Sequence, residues 1–248
     1  MSGQFRYVDS QLGARYILAF HANPEALGKR LRDPWSIGRY LGAYRMVSGQ
    51  PSPVEPNLLV VFNDLLLNLK RDGTPKADEM PRYVGFNIPI ANPGTSETGM
   101  MHFRNYSGDR CQSPGHYADS VFAPATWEEH IVGNGVGSTV NFRARFEPET
   151  GGHVELHLNY SRSLPRLVES DKPEFFVWAA QDPTITRVYQ DYGLTELLWL
   201  RDNDLQRLHE VEFHVETLEL QDIFDGSEQL ISVIANPIYT RKVFVPQS

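Results

Sequence analysis

The sequence is poor in cysteine and has no long hydrophobic run. Cys111 is the only cysteine among 248 residues, so the chain has no cysteine pair for an internal disulfide or a structural zinc site. No stretch of about 18 uncharged apolar residues occurs, and the first ten residues, M-S-G-Q-F-R-Y-V-D-S, lack the apolar core of a signal peptide. We therefore expect a cytoplasmic protein in a reducing compartment.

Lysine is also scarce, since eighteen arginines accompany only five lysines. Arginine is the side chain suited to fixed, bidentate contacts with carboxylates. The net charge of -8 and the pI near 5.5 argue against nonspecific binding to nucleic acid or to anionic membranes. We expect neither a nucleic-acid partner nor a membrane partner. The composition leaves open whether the chain forms a homo-oligomer.

Several signatures of known catalytic and cofactor sites are missing. The glycines of G-N-G-V-G at 133–137 lack the G-K-[ST] of a P-loop and the spacing of a dinucleotide turn, and they are more typical of a flexible lid or bend. No G-x-S-x-G nucleophile elbow occurs, and Cys111 has no evident His/Asn signature of a thiol nucleophile. We predict no cofactor.

The composition is that of a soluble globular domain, with 41% hydrophobic and 22% charged residues. The 17 prolines and 19 glycines are scattered along the chain, which indicates many short strands joined by turns. We predict a single domain over residues 1–248, of α+β class and mainly β, with a few short helices.

A central β-hairpin is predicted at 139–160, which reads T-V-N-F-R-A-R-F-E-P-E-T-G-G-H-V-E-L-H-L-N-Y. Both arms alternate strictly between apolar and polar residues, and E-P-E-T-G-G between them is rich in turn formers. Placing both apolar rows on one face predicts a register in which Arg143 faces Glu155 and Arg145 faces His153. The opposite face then carries a dense row of arginine, glutamate and histidine.

That charged row is our main candidate for a functional site. If it lines a cavity, Arg143 and Arg145 hold a substrate carboxylate or enolate, while His153, Glu155 or His157 moves protons near neutral pH. The alternative is a solvated strand face whose cross-strand pairs contribute a few tenths of a kcal/mol. We assign no metal to His153 and His157. Four residues of extended strand span about 13 Å, whereas each histidine can bind a metal only about 6 Å from its own Cα, so both cannot comfortably bind one ion.

Two segments before the hairpin supply further candidates. T-W-E-E-H at 126–130 predicts Glu128 or Glu129 as a proton carrier at a cavity mouth, with an exposed acidic turn as the alternative. S-P-G-H-Y at 113–117 predicts His116 and Tyr117 as residues that contact a substrate, although each alone is more often structural. Such long irregular segments inside a compact domain are commonly functional loops.

Other elements follow from local patterns. Residues 15–21 and 58–69 predict buried strands, and Asn23 followed by Pro24 predicts the start of a helix. Helical spacing over 37–44 indicates a second short helix, whereas 107–137 contains no clear periodic element. The glutamates and histidines that alternate from His209 onward predict an outer, wet strand face.

Three segments resemble the acetoacetate decarboxylase-like superfamily. R-Y-I-L-A-F-H-A-N-P-E-A-L-G-K-R-L is similar to the strand and "D-P-E-A-L" helix that open the family's sequences, and E-P-N-L-L-V-V-F-N-D to the hydrophobic strand that follows. D-L-Q-R-L-H-E-V-E-F near the C-terminus is similar to the family's close. The resemblance covers about half of the chain and implies an antiparallel, cone-like β-barrel with the active site in its interior.

The resemblance stops at the family's catalytic signature, a Lys-Lys pair before the central hairpin in which one lysine forms a Schiff base. The five lysines here are Lys29, Lys70, Lys76, Lys172 and Lys242, so none lies in the expected interval. We therefore expect a biosynthetic small-molecule enzyme with lyase, dehydratase, aldol or cyclisation chemistry on a carbonyl or carboxylate substrate. The alternatives are a non-catalytic ligand-binding barrel and a metal-dependent hydrolase.

Overall fold

The structure is a computed structural model that describes residues 5–40, 54–76, 81–108, 120–170, 175–180, 186–205 and 207–247. Strands dominate it: β1 (Phe5–His21), β2 (Ser36–Ile37), β3 (Leu58–Lys70), β4 (Arg82–Ala91), β5 (Thr98–Ser107), β6 (Ser120–Phe122), β7 (Ala125–Val132), β8 (Thr139–Phe146), β9 (Val154–Ser161), β10 (Arg166–Glu169), β11 (Phe175–Ala179), β12 (Thr186–Leu200), β13 (Leu208–Val215) and β14 (Gln229–Pro246). The helices are α1 (Pro24–Gly28) and a 3-10 turn (Leu218–Leu220).

Seven strands close into a barrel in the order β4-β3-β1-β14-β12-β11-β5, with β5 pairing back to β4. All of these pairs are antiparallel except β5 with β11, which is parallel. β2, β6 and β10 extend the sheet at its margins, and a separate four-stranded sheet has the order β13-β9-β8-β7. The predicted barrel is therefore confirmed. No helix among the described residues is long and apolar enough to cross a membrane.

The four-stranded sheet packs its apolar face against the outside of the barrel. Tyr16 on β1 stacks on Phe142 on β8 with ring centroids 4.1 Å apart, and Phe20 lies 5.1 Å from Phe213 on β13. The apolar rows of β8 and β9 are fully buried there. Full burial of one such large side chain contributes about 1.5–3 kcal/mol, so this interface is a major part of the core.

The predicted hairpin is confirmed as β8 and β9, including which residues share a face, but its predicted register was wrong by two residues. Arg143 lies opposite His157 and Arg145 opposite Glu155. Burial of one face requires only that the numbers of two paired residues add up to an even value. The turn decides which of the even values is adopted. That turn uses Gly152 at φ 78°, where an added Cβ would lie 2.1 Å from the Glu216 carbonyl oxygen.

Two local predictions near the N-terminus had different outcomes. α1 begins as predicted, because the Asn23 side chain accepts bonds from the Glu25 and Ala26 amides. The second helix was wrong over 37–40, while 41–44 lie outside the described residues. Ile37 instead pairs with β4, and the Gly38 amide donates to the Pro89 carbonyl at 2.7 Å. Sheet pairing therefore overrides the helical spacing of the apolar residues.

The stretch 107–137 was predicted to contain no regular element, yet it contributes β6 and β7. Among the described strands, β7 pairs with β8 alone at the edge of its sheet and is largely exposed, so its sequence lacks the alternation of a half-buried strand. The glycines between β7 and β8 form the predicted bend, with positive φ at Gly133, Gly135 and Gly137.

Candidate functional site

The barrel encloses a cavity of about 180 Å³, lined by the inward-facing side chains of its strands. On β1 and β3 these are the odd-numbered positions, because the even-numbered ones face the second sheet. The cavity is partly polar and partly apolar. Its lining comprises Arg15, Ile17, Tyr40, Leu59, Val61, Asn63, Tyr83, Gly85, Asn87, Met100, His102, Phe175, Val177, Tyr189, Asp191 and Arg241.

Two arginines share one aspartate on one side of the cavity, and these residues, Arg15, Asp191 and Arg241, form the polar wall. Arg241 on β14 donates from Nε and Nη2 to the two carboxylate oxygens of Asp191 on β12, each at 2.7 Å. Arg15 on β1 donates from Nη2 to Asp191 at 3.1 Å and from Nε to Asn236 at 2.7 Å. β14 lies between β1 and β12, so closure of the barrel brings together residues that are far apart in the sequence.

Tyrosine rings hold both guanidinium groups in place. Arg15 lies over the ring of Tyr239 at 4.3 Å, and Arg241 lies over the ring of Tyr189 at 4.1 Å. The space for Tyr239 depends on Gly193, where an added Cβ would lie 2.8 Å from the Tyr239 Cβ. The arginines are therefore oriented before any ligand arrives, which reduces the ordering cost of binding.

The polar wall carries one net positive charge. Burial alone would raise the pKa of Asp191, but the guanidiniums of Arg241 and Arg15 outweigh it and hold that pKa well below its usual range. Burial opposes the charge of Arg241, yet Asp191 raises its pKa overall. Asp191 and Arg241 therefore stay ionised at neutral pH. Two cations and one anion leave a single positive charge at this wall, which favours an anionic ligand.

His102 is a buried histidine that stays neutral at physiological pH. Burial, assisted by the charge of Arg104, lowers its pKa to about 3. Its Nδ1 lies 3.0 Å from the Asn87 Oδ1, and since that oxygen can only accept, Nδ1 carries the proton. Gly85 leaves room for the ring, because an added Cβ would lie 3.0 Å from the His102 Cε1.

Two buried tyrosines near the arginines also keep their protons. Burial raises the pKa of Tyr83 well above its ordinary value and raises that of Tyr239 despite the nearby guanidiniums. The Tyr239 hydroxyl donates to the Asn63 Oδ1 at 3.0 Å. These phenols are therefore hydrogen-bond donors at neutral pH and poor bases.

The charged row of the hairpin does not line this cavity, so the orientation assumed for Arg143, Arg145, His153, Glu155 and His157 was wrong. Arg143 donates from Nε to Glu155 at 2.7 Å, but its side chain is 59% exposed. The row faces away from the barrel because the opposite apolar face is the one that packs on it. The solvated strand face considered as the alternative describes this arrangement.

Of the other sequence candidates, Glu128 and Glu129 also lie outside the cavity. Glu128 is exposed on β7, and Glu129 accepts a bond from the Tyr16 hydroxyl at 3.1 Å, between the two sheets. Neither belongs to the cavity lining, because β7 is in the outer sheet. His116 and Tyr117 lie outside the described residues.

One group on the outer sheet has the residue types of a metal site. His157 Nδ1 lies 3.8 Å from Glu212 Oε2 and 4.0 Å from Glu210 Oε2. Both glutamates are about half exposed, and His153 is similarly placed 3.2 Å from Glu216. This face agrees with the wet face predicted from the alternation after His209, and such exposed charges commonly occur without a bound ion.

Sequence reasoning missed Arg15, Asp191 and Arg241 as site residues. A usable signal was present for Arg15, because it begins the buried strand predicted over 15–21. An ionisable residue in a strand buried on both faces must be paired or must serve a site. Asp191 lies in no segment that was predicted as a strand above, so it gave no such signal.

Comparisons with known proteins identify the fold. No protein-family model and no curated protein matches the sequence, but solved structures do. The enduracididine biosynthesis enzyme MppR complexed with pyruvate matches with a TM-score of 0.54 at 9% identity, over 96% of this chain and 87% of that one. Its complex with the condensation product of pyruvate and imidazole 4-carboxaldehyde gives 0.52 at 9% identity, over 96% and 86%.

An acetoacetate decarboxylase-like enzyme from Sphingomonas wittichii RW1 matches with a TM-score of 0.54 at 10% identity, over 97% of this chain and 91% of that chain. Nearly the whole chain is thus superimposed on each of these structures, while few residues are shared. What the likeness shows is the architecture. The chain has the fold of the acetoacetate decarboxylase-like superfamily, as the resemblance of its sequence segments predicted.

Proposed function

We propose that the chain is a small-molecule enzyme that binds a carbonyl compound bearing a carboxylate inside the barrel and acts on it without a Schiff-base lysine. The observation that carries the proposal is the pair of arginines joined by Asp191 in an enclosed cavity. Lyase, dehydratase, aldol and cyclisation reactions of such compounds all pass through negative charge on a carbonyl oxygen. A fixed cationic wall stabilises that charge.

The guanidinium groups have donors to spare for a ligand. Each guanidinium carries five N–H groups, of which Arg241 donates two to Asp191, and Arg15 donates one to Asp191 and one to Asn236. A carboxylate takes two of the remaining donors in the bidentate geometry that arginine favours. The phenol of Tyr83 also lines the cavity, and one donor to a developing oxyanion is worth about 3 kcal/mol in a transition state.

The position of the lysines supports chemistry without an amine. None of the described cavity-lining side chains is a lysine. Lys70 and Lys242 are exposed on the barrel strands, and Lys76 Nζ pairs with Asp9 at 3.2 Å. Lys172 lies outside the described residues. The similar enzyme MppR binds pyruvate, a compound with one carboxylate beside one carbonyl, and this chemistry fits the cationic wall found here.

Calorimetric titration with pyruvate, together with borohydride trapping, tests the proposal. We expect binding that Arg241→Met weakens by tenfold or more, while Arg201→Met, which removes an arginine that bonds Gln229 outside the cavity, leaves it unchanged. We also expect no covalent capture of pyruvate by borohydride. Capture at any lysine would contradict chemistry without a Schiff base, and binding that is insensitive to Arg241→Met would remove the cavity from consideration.

One observation favours a non-catalytic ligand-binding barrel as the second candidate. Asp191 has its pKa lowered, His102 has its pKa lowered to about 3, and the pKa values of Tyr83 and Tyr239 are raised. These four groups therefore do not exchange protons near neutral pH unless a bound ligand shifts their pKa values. Turnover of a bound 2-oxo acid supports the enzyme, and binding without any turnover supports the ligand-binding barrel.

A further inference from the structure

We propose that the cavity selects a monocarboxylate that carries a compact apolar group, of the size of a phenyl ring or a branched alkyl chain. This inference rests on the proposed function, because it assigns the substrate class of the same cavity. It goes beyond that function by excluding dicarboxylates and by requiring an apolar part in the preferred ligand. Charge, the chemistry of the lining and the cavity volume each support it.

The charge of the wall matches one carboxylate and no more. Arg15 and Arg241 contribute two positive charges, Asp191 removes one, and His102 is neutral. A monoanion therefore neutralises the cavity. A second carboxylate on the ligand would be buried without a cationic partner among the described lining residues, which is costly in a low-dielectric interior.

Another part of the lining is apolar and is continuous with the cationic wall. Leu59, Met100 and Val177 form a cluster inside the barrel with Tyr189, each 4–5% exposed, and Val61 packs against it. Met100 lies directly opposite Val177 across the β5–β11 pairing. Tyr189 belongs to this cluster and also carries the Arg241 guanidinium on its ring. One short ligand can therefore reach both surfaces.

The volume limits the apolar group to a compact one. A cavity of about 150 Å³ lined by apolar side chains accommodates a benzene molecule, and the cavity here has about 180 Å³. Pyruvate, with six non-hydrogen atoms, would leave the apolar surface uncovered. Each methylene group moved from water into contact with that surface adds about 0.8 kcal/mol, which corresponds to about a fourfold gain in affinity.

Calorimetric titration of the full chain with four 2-oxo acids tests this selection. 4-Methyl-2-oxopentanoate and phenylpyruvate add an apolar group to pyruvate, and 2-oxoglutarate replaces the isopropyl group of the former by a carboxymethyl group, which carries a second carboxylate. We expect both apolar acids to bind at least tenfold more tightly than pyruvate and than 2-oxoglutarate. Equal affinities for all four acids, or tightest binding of 2-oxoglutarate, would overturn the inference while leaving carboxylate binding intact.

The result also separates this inference from the proposed function. If none of the four acids binds, both fail together, whereas binding of pyruvate without any gain from the apolar group rejects the inference alone. Val177→Thr provides a matched variant, because it replaces a methyl group by a hydroxyl of similar size. We expect it to reduce the affinity ratio of 4-methyl-2-oxopentanoate to pyruvate by threefold or more, and an unchanged ratio would place the apolar group elsewhere.

Discussion

Arg241→Met and Arg143→Met provide a direct comparison of two arginine–carboxylate pairs in the same protein. Arg241 bonds both oxygens of Asp191 at 2.7 Å, and its side chain is 12% exposed. Arg143 bonds Glu155 at a similar distance of 2.7 Å, but its side chain is 59% exposed. Arg241 contacts both oxygens of Asp191, whereas Arg143 contacts one oxygen of Glu155, so the comparison tests burial of the guanidinium together with bidentate bonding.

We expect the two substitutions to differ by several-fold in their effect on the free energy of unfolding. Removal of one partner of a buried pair leaves an uncompensated charge and costs about 3–5 kcal/mol, with the lower end expected here because Arg15 still contacts Asp191 at 3.1 Å. Loss of an exposed pair costs at most about 1 kcal/mol. The wall that binds the proposed ligand is therefore also a major determinant of stability.

Urea denaturation of the two variants and the wild-type protein, at low salt and in 1 M NaCl, measures both effects. The smaller loss of stability, in Arg143→Met, should shrink further at high salt, because salt screens exposed charges. The screening length is about 10 Å at 0.1 M and becomes shorter as the salt concentration rises. The loss in Arg241→Met should persist. Equal losses for the two variants, or a loss below about 1 kcal/mol for Arg241→Met, would refute the assignment of the Arg15–Asp191–Arg241 wall as a buried, preorganised site.

Two further predictions test the cavity and the hairpin face. The pKa of His102 falls from 6.5 to about 3 on folding. Above pH 6.5 this shift does not change the free energy of unfolding. Below that pH the unfolded state binds a proton that the folded state does not, so the stability falls. Between pH 6.5 and 4.5 the wild-type protein should lose about 2–3 kcal/mol more stability than His102→Gln in urea denaturation, and parallel pH profiles would contradict the burial of a neutral imidazole. For the hairpin, Arg143→Ala combined with His157→Ala should leave pyruvate affinity within twofold of the wild-type value by calorimetry, whereas a loss of tenfold or more would restore the charged row as the site.

The sequence was sufficient to predict the hairpin, because its pattern depends only on local geometry. Alternation places Phe142 and Leu156 on one face wherever the two strands lie in the protein, and burial of that face excludes any register shifted by one residue. α1 was predictable for the same reason, since the Asn23 cap bonds amides two and three residues away. The edge strand β7 was not predictable in this way, because only Ala125 and Trp127 pack against the core and the rest of the strand lacks an apolar alternation.

The location of the polar wall was not predictable, because it depends on which strands become neighbours when the barrel closes. Arg15 reaches Asp191 only because β14 lies between β1 and β12. No local pattern encodes that adjacency. The resemblance to the acetoacetate decarboxylase-like superfamily predicted a site in the barrel interior, but it provided no residues once the lysine pair was missing, and the hairpin row was chosen because it was the most conspicuous cluster of ionisable groups.

The number of apolar faces on a strand distinguishes the residues that line the cavity from the charged row that faces solvent. In β8 and β9 every apolar residue lies on one face and every charged residue on the other, which is the pattern of a strand with one wet side. In β1 and β3 the runs 16–20 and 58–62 are apolar on both faces, and Arg15 and Asn63 are the polar residues that border these runs on the side of the cavity. A strand face that is mostly apolar cannot be the wet side, so a lone arginine within it has to be bonded to protein or to a ligand. A dense and regular charged row therefore indicates solvent, whereas isolated ionisable residues in strands that are apolar on both faces indicate the cavity.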